Sequence, residues 1–124
     1  VKLGYKIAII TGGISDAVQK RFSALGIKDI FMGSSMKIDI LKTWMTDNEL
    51  VPEQVAYVGD DIPDMQTMLH VGMPVAPADA SADILGIARY ISPVNGGYGV
   101  ARDLLEEILR ANGQWLNTSK AFGW

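Results

Sequence analysis

The 124-residue chain contains no cysteine and a single histidine. Disulfides, thiolate nucleophiles and cysteine-ligated zinc are excluded, which fits a cytoplasmic protein. Long apolar runs are also lacking. The clearest, Lys6–Ile10 and Gln54–Val58, fall far short of the roughly 20 residues that cross a bilayer, so no membrane partner is expected. The opening residues carry no basic-then-apolar leader pattern. Positive charge is sparse: 11 Lys and Arg stand against 14 Asp and Glu, for a net charge of -3, with no basic cluster. A nucleic-acid backbone requires a positive footprint, so such a partner is not expected either. What is present is globular in character, with 48% hydrophobic and 20% charged residues, and the length fits one domain. The chain opens on Val1-Lys2-Leu3-Gly4 without an initiator methionine. It enters an apolar strand almost at once, and a missing N-terminal portion is expected.

Five strand-like segments alternate with helix-like ones. Tyr5–Ile10 is a nearly continuous apolar run, the habit of a parallel strand covered on both faces. After Thr11-Gly12-Gly13, a helix is expected from about Ser15 to Leu25, with Ala17, Val18, Phe22 and Leu25 on one face and Gly26 as its stop. Further strands are expected at 27–32, 54–58, 73–76 and 90–91, and further helices at about 36–50, 63–71, 80–87 and 98–111. The fold class is α/β: a Rossmann-like, mainly parallel sheet with flanking helices in a single domain over residues 1–111, followed by a tail over 112–124. Trp115, Phe122 and Trp124 in that polar tail have no periodic apolar partners. They are expected to dock on a neighbouring subunit or on their own.

In open parallel sheets, ligands bind at the carboxyl ends of the strands. Thr11 follows the first strand, Lys37 the second and Asp60 the third, so all three are expected at one edge. A hydroxyl and an ammonium hold phosphoryl oxygens, while a carboxylate holds a hard cation such as magnesium. The amides of Gly12 and Gly13 add donors at a helix start. Each element alone also has a plain structural reading. Thr11-Gly12-Gly13 serves as a tight turn, Lys37 as a solvated charge, and Asp60, Asp61 and Asp64 as helix-start acids. Adjacent acids behind a buried strand repel one another, and a bound divalent ion relieves that repulsion.

The segments Ile9-Ile10-Thr11-Gly12, Gly33-Ser34-Ser35-Met36-Lys37 and Tyr57-Val58-Gly59-Asp60-Asp61-Ile62-Pro63-Asp64 resemble the second, third and fourth motifs of the haloacid dehalogenase superfamily. The nearest likeness is to the capless 3-deoxy-D-manno-octulosonate 8-phosphate phosphatases. It extends to Ala76-Pro77-Ala78-Asp79-Ala80, to Gly96-Gly97-Tyr98-Gly99-Val100-Ala101-Arg102-Asp103 and to the Ala121-Phe122-Gly123-Trp124 ending. The resemblance implies a magnesium-dependent phosphatase of lipopolysaccharide precursor synthesis, acting as a homotetramer on an acidic sugar phosphate. It implies that Thr11 binds the phosphoryl group, Lys37 neutralises its charge and Asp60 ligates magnesium. Asp61 then acts beside the ion without ligating it directly, or through a water, and Asp64 orients Lys37 or a metal-bound water.

The same resemblance places Arg21 where relatives receive the substrate carboxylate, although a solvated helix charge explains it equally well. Arg102 could reach a carboxylate or make a helix contact. Gly13 stands where relatives acting on nine-carbon acids tend to carry a glutamate, favouring an eight-carbon substrate. The family's first motif, an Asp-x-Asp pair supplying nucleophile and general acid/base, has no counterpart in this sequence. The strand bearing it is expected in mid-sheet, so the 124 residues are expected to lack turnover by themselves. A non-catalytic phosphoryl-binding module is the alternative.

Overall fold

The computed structural model describes residues 1–117; Phe122 and Trp124, which carried part of the expectation for the tail, lie outside the described residues. The chain divides into two compact units, Val1–Leu50 and Val51–Trp124. All strand pairings among the described residues are parallel, as expected, but the hydrogen bonds form two sheets, one of two strands and one of three.

In the first unit, β1 (Ala8–Ile10) pairs with β2 (Asp29–Phe31), Ile9 standing opposite Ile30. Between them runs α1 (Asp16–Ala24), started by Ser15, whose hydroxyl accepts from the Val18 amide. The helix spans the expected range, yet none of its residues is buried and Leu25 is 59% exposed. The apolar stripe that the spacing supplies is left largely uncovered. By contrast, α2 (Lys37–Asp47) buries Leu41, Trp44 and Met45, and the Trp44 indole donates to Asp29 Oδ2 at 2.8 Å. It ends three residues before the expected Leu50. The Asn48 side chain donates to the Trp44 carbonyl, and Glu49 turns to a φ of 55°, a left-handed conformation that closes a helix.

In the second unit, β3 (Ala56–Val58), β4 (Met73–Ala76) and β5 (Tyr90–Ile91) lie in the order β3-β4-β5. A proline within a central strand normally interrupts a ladder. Pro74 is tolerated because its carbonyl, and therefore its missing donor, faces the β5 side, where pairing starts only at Val75 opposite Tyr90. The helix expected after Asp60-Asp61 begins as a 3₁₀ turn, Ile62–Asp64, and continues as α3 (Met65–His70). Pro63 supplies the fixed φ of the first turn. Helices α4 (Ala82–Ile87) and α5 (Val100–Ala111) complete the unit. Met68, Ala76 and Ile84 are wholly buried at its centre, with Tyr57, Met65, Leu85 and Ile87 packed around them.

Helix α5 is anchored by a carboxylate as well as by Val100 and Leu104. Asp103 Oδ2 accepts from the Tyr90 and Ser92 hydroxyls, both at 2.7 Å. The bond to Asp103, and secondarily burial, pushes the Tyr90 pKa up to about 12. Beyond α5, the guanidinium of Arg110 lies 5.1 Å from the centre of the Trp115 ring, so Trp115 meets a cation of its own chain.

Candidate functional site

Thr11 stands at the carboxyl end of β1, and the loops after β1 and β2 are laced together there. The Thr11 amide donates to the Phe31 carbonyl at 2.9 Å, Ser34 N to the Thr11 carbonyl at 3.2 Å, and Gly33 N to the Gly13 carbonyl at 3.2 Å. The partly buried Thr11 hydroxyl accepts from the Gly13 amide at 3.2 Å. It therefore retains its own proton as a donor. Gly12 and Gly13 are exposed. Lys37, partly buried, is the first residue of α2, and the Met36 N-cap provides no side-chain acceptor. The positive end of an 11-residue helix and an ammonium thus coincide, an arrangement that favours an anion. Arg21 is exposed on α1.

At the carboxyl end of β3, three acids occupy three different environments. Asp60 and Asp61 are exposed, whereas Asp64 is only 4% exposed. Asp61 accepts from the Ile62 amide at 2.8 Å and so starts the 3₁₀ turn. Asp64 points inward, where Oδ1 accepts from the Tyr57 hydroxyl at 2.8 Å and Oδ2 from the Asp60 amide at 3.2 Å. Gly59 makes this approach possible, since a Cβ there would lie 2.5 Å from Asp64 Cβ and 2.7 Å from Met68 Sδ. The turn tucks one carboxylate under the backbone and leaves another, Asp60, facing solvent.

The neighbouring loops are tied as well. Ser81 N donates to the Asp60 carbonyl at 3.0 Å, and Asp79 Oδ1 accepts from the Gly96 amide at 2.8 Å. Arg102, expected as a substrate contact or a helix contact, is exposed, and its Nε donates to Glu106 Oε1 at 2.6 Å one turn along α5. That i,i+4 pairing accounts for it without a ligand.

Magnesium is the ion that the resemblance implies. No group of three or more His, Cys, Asp or Glu side chains capable of holding an ion occurs among the described residues, so this is no closed cage. Magnesium, however, keeps several waters and takes one or two carboxylates from a protein. An exposed Asp60 on a backbone pinned from beneath fits that partial role, with Asp61 next to it.

Sequence patterns gave no role to Tyr57. Its one signal is a phenol in an otherwise apolar strand immediately before Gly59-Asp60, since a buried phenol normally finds a partner.

Residues 1–78 match the profile of the haloacid dehalogenase-like hydrolases, and the chain belongs to that family. Among curated proteins it is similar to the 3-deoxy-D-manno-octulosonate 8-phosphate phosphatase KdsC of Yersinia pestis. Identity is 38% over 105 residues, covering 85% of this chain and 56% of the relative. Two solved structures are also similar. The phosphatase of the same name from Moraxella catarrhalis, in complex with magnesium, phosphate and KDO, is 31% identical with a TM-score of 0.87; the match covers 91% of this chain and 66% of that one. The cobalt-bound deoxy-D-mannose-octulosonate 8-phosphate phosphatase from Haemophilus influenzae is 28% identical with a TM-score of 0.89, over 98% of this chain and 70% of that one. The chain therefore spans little more than half the length of the curated relative it matches. No helix among the described residues is long and apolar enough to cross a membrane.

Proposed function

We propose that this chain is the larger part of a phosphomonoesterase that releases phosphate from a 3-deoxy-octulosonate 8-phosphate-type acidic sugar phosphate. The observation that carries this reading is the Gly59–Asp64 turn. It buries Asp64 beneath the backbone while holding the Asp60 carboxylate in solvent at the carboxyl end of a parallel strand. Asp60 serves as the anchor for magnesium, which when bound supplies positive charge against phosphoryl oxygens. Thr11 donates its hydroxyl proton to the phosphoryl group, and Lys37 neutralises charge on it. Asp61 and Asp64 support the ion-binding turn, and Gly12 and Gly13 offer amides. Arg21 receives the sugar carboxylate, whereas Arg102, bonded to Glu106, is the weaker contributor.

Chemistry through an aspartyl-phosphate requires an Asp-x-Asp pair, and no such pair occurs in the 124 residues. The polypeptide as it stands is therefore expected to show no turnover, and activity belongs to a form extended upstream by that strand. A cytoplasmic homotetramer is the proposed assembly. Gly13 favours the eight-carbon acid over a nine-carbon, sialic-acid-type substrate, because a bare backbone leaves space where a glutamate would stand. The test compares kcat/KM for the two phosphate esters with magnesium, using the upstream-extended protein. Preference for the eight-carbon ester is expected. Preference for the nine-carbon ester would overturn the substrate assignment, and hydrolysis of neither would overturn the enzymatic reading in favour of a phosphoryl-binding module.

A further inference from the structure

Among the groups that the proposed reaction leaves without a role, Tyr57 has the most specific surroundings. It lies in β3, partly buried against the Met68–Ala76–Ile84 cluster, and its hydroxyl donates to Asp64 Oδ1 at 2.8 Å. Burial first, and the charge of Asp64 second, push its pKa well above the ordinary tyrosine value, so the phenol retains its proton. The other Asp64 oxygen accepts from the backbone amide of Asp60 at 3.2 Å. A carboxylate that is 4% exposed thus joins a core phenol to the main chain of the residue assigned to the ion. Gly59 closes the assembly from above, since any Cβ would collide with Asp64.

We infer that Tyr57 is a positioning residue: through Asp64 it fixes the backbone of Asp60 and so aims that carboxylate at the divalent ion. The inference rests on the proposed function for its purpose, but the linkage itself can be measured without catalysis. A hydroxyl in the core is costly to desolvate, and the bond to Asp64 offsets that cost. Removing it leaves Asp64 with one bond fewer in a desolvated site. The carboxylate then shifts toward solvent, and the Asp60 amide loses its acceptor.

The experiment uses Tyr57→Phe, which keeps the ring and deletes only the hydroxyl. Hydrogen exchange at the Asp60 amide of the 124-residue chain is expected to accelerate about tenfold or more, the usual equivalent of one lost bond to a charged group. The amides of Val75 and Ala76 are expected to stay within about twofold. In the upstream-extended protein, the magnesium concentration giving half-maximal phosphatase activity is expected to rise, with KM for the ester little changed. An unchanged Asp60 amide, or equal acceleration at Asp60, Val75 and Ala76, would overturn the inference, the second because it describes general loosening.

Asp64→Ala provides a second route should Tyr57→Phe not fold, since it removes the acceptor of both donors and the same Asp60 acceleration is expected. Asp60→Asn separates the two readings. If it leaves activity and magnesium dependence at the wild-type level, the proposed function fails, while the exchange data still decide the linkage.

Discussion

The two units repeat the same strand-helix-strand grammar but hold it with different firmness. In the second unit β4 is flanked on both sides, and its residues Val75 and Ala76 are wholly buried. In the first, neither strand of the two-stranded sheet is flanked by two others, all six strand residues are only partly buried, and α1 buries nothing. Six-residue α3 buries Thr67 and Met68, more than nine-residue α1 achieves. Within the first unit burial is uneven, since α2 buries Leu41, Trp44 and Met45 while α1, with its own apolar spacing, buries none. The proposed ion anchor, Asp60, thus grows from the firmly packed unit. Thr11 and Lys37, the proposed phosphoryl contacts, belong to the unit with fewer buried side chains.

That contrast can be broken or sharpened by substitution. The largest effects are expected on catalysis in the upstream-extended protein. Asp60→Asn and Lys37→Ala should each lower kcat on the order of a hundredfold or more, as removal of charge stabilisation from a phosphoryl site does. Phosphate-release assays at saturating ester check this, and near-wild-type rates for both would contradict the roles proposed for these two residues. Next come packing effects. Met68→Ala, at 0% exposure, should cost about 2–5 kcal/mol, whereas Val18→Ala on α1 should cost less than about 1 kcal/mol. Urea unfolding midpoints compare them, and equal losses would erase the distinction drawn between the units.

The smallest effect concerns alkaline stability of the second unit. The Tyr90 pKa is raised to about 12 from an unfolded value near 10, so folding favours the protonated phenol. Its stabilisation is fully present below about pH 10 and is lost as pH rises through about 12. The difference in urea midpoint between wild type and Tyr90→Phe should therefore shrink between pH 8 and pH 11.5. A constant difference would mean that the Asp103 bond does not favour the phenol.

Much of this was legible in the residues. Alternating apolar runs and glycine or proline stops located the five strands and five α-helices of the described residues, though not the 3₁₀ turn at Pro52–Gln54, and β4 and β5 fall at their expected limits. The other strands are shorter than their apolar runs, because pairing stops where the neighbouring strand stops. Helix α1 forms with its apolar residues at the expected spacing but buries none of them: spacing specifies a stripe but not the area opposite it. Around the site, sequence located the acids but not their division of labour. Asp60, Asp61 and Asp64 look alike in a string, and only the packing of Gly59 against Asp64 shows that one turns inward. The Arg102–Glu106 bond was readable as an i,i+4 pair. Tyr57 drew no attention because strand periodicity registers its ring and ignores its hydroxyl.

The most direct measurement is metal removal. The upstream-extended protein, stripped with a chelator, is assayed for phosphate release from 3-deoxy-octulosonate 8-phosphate before and after addition of magnesium. Loss of activity on stripping and its return with magnesium in the wild type, with no return in Asp60→Asn, is the predicted result. Full activity after thorough chelation would contradict the assignment of Asp60 as an ion anchor.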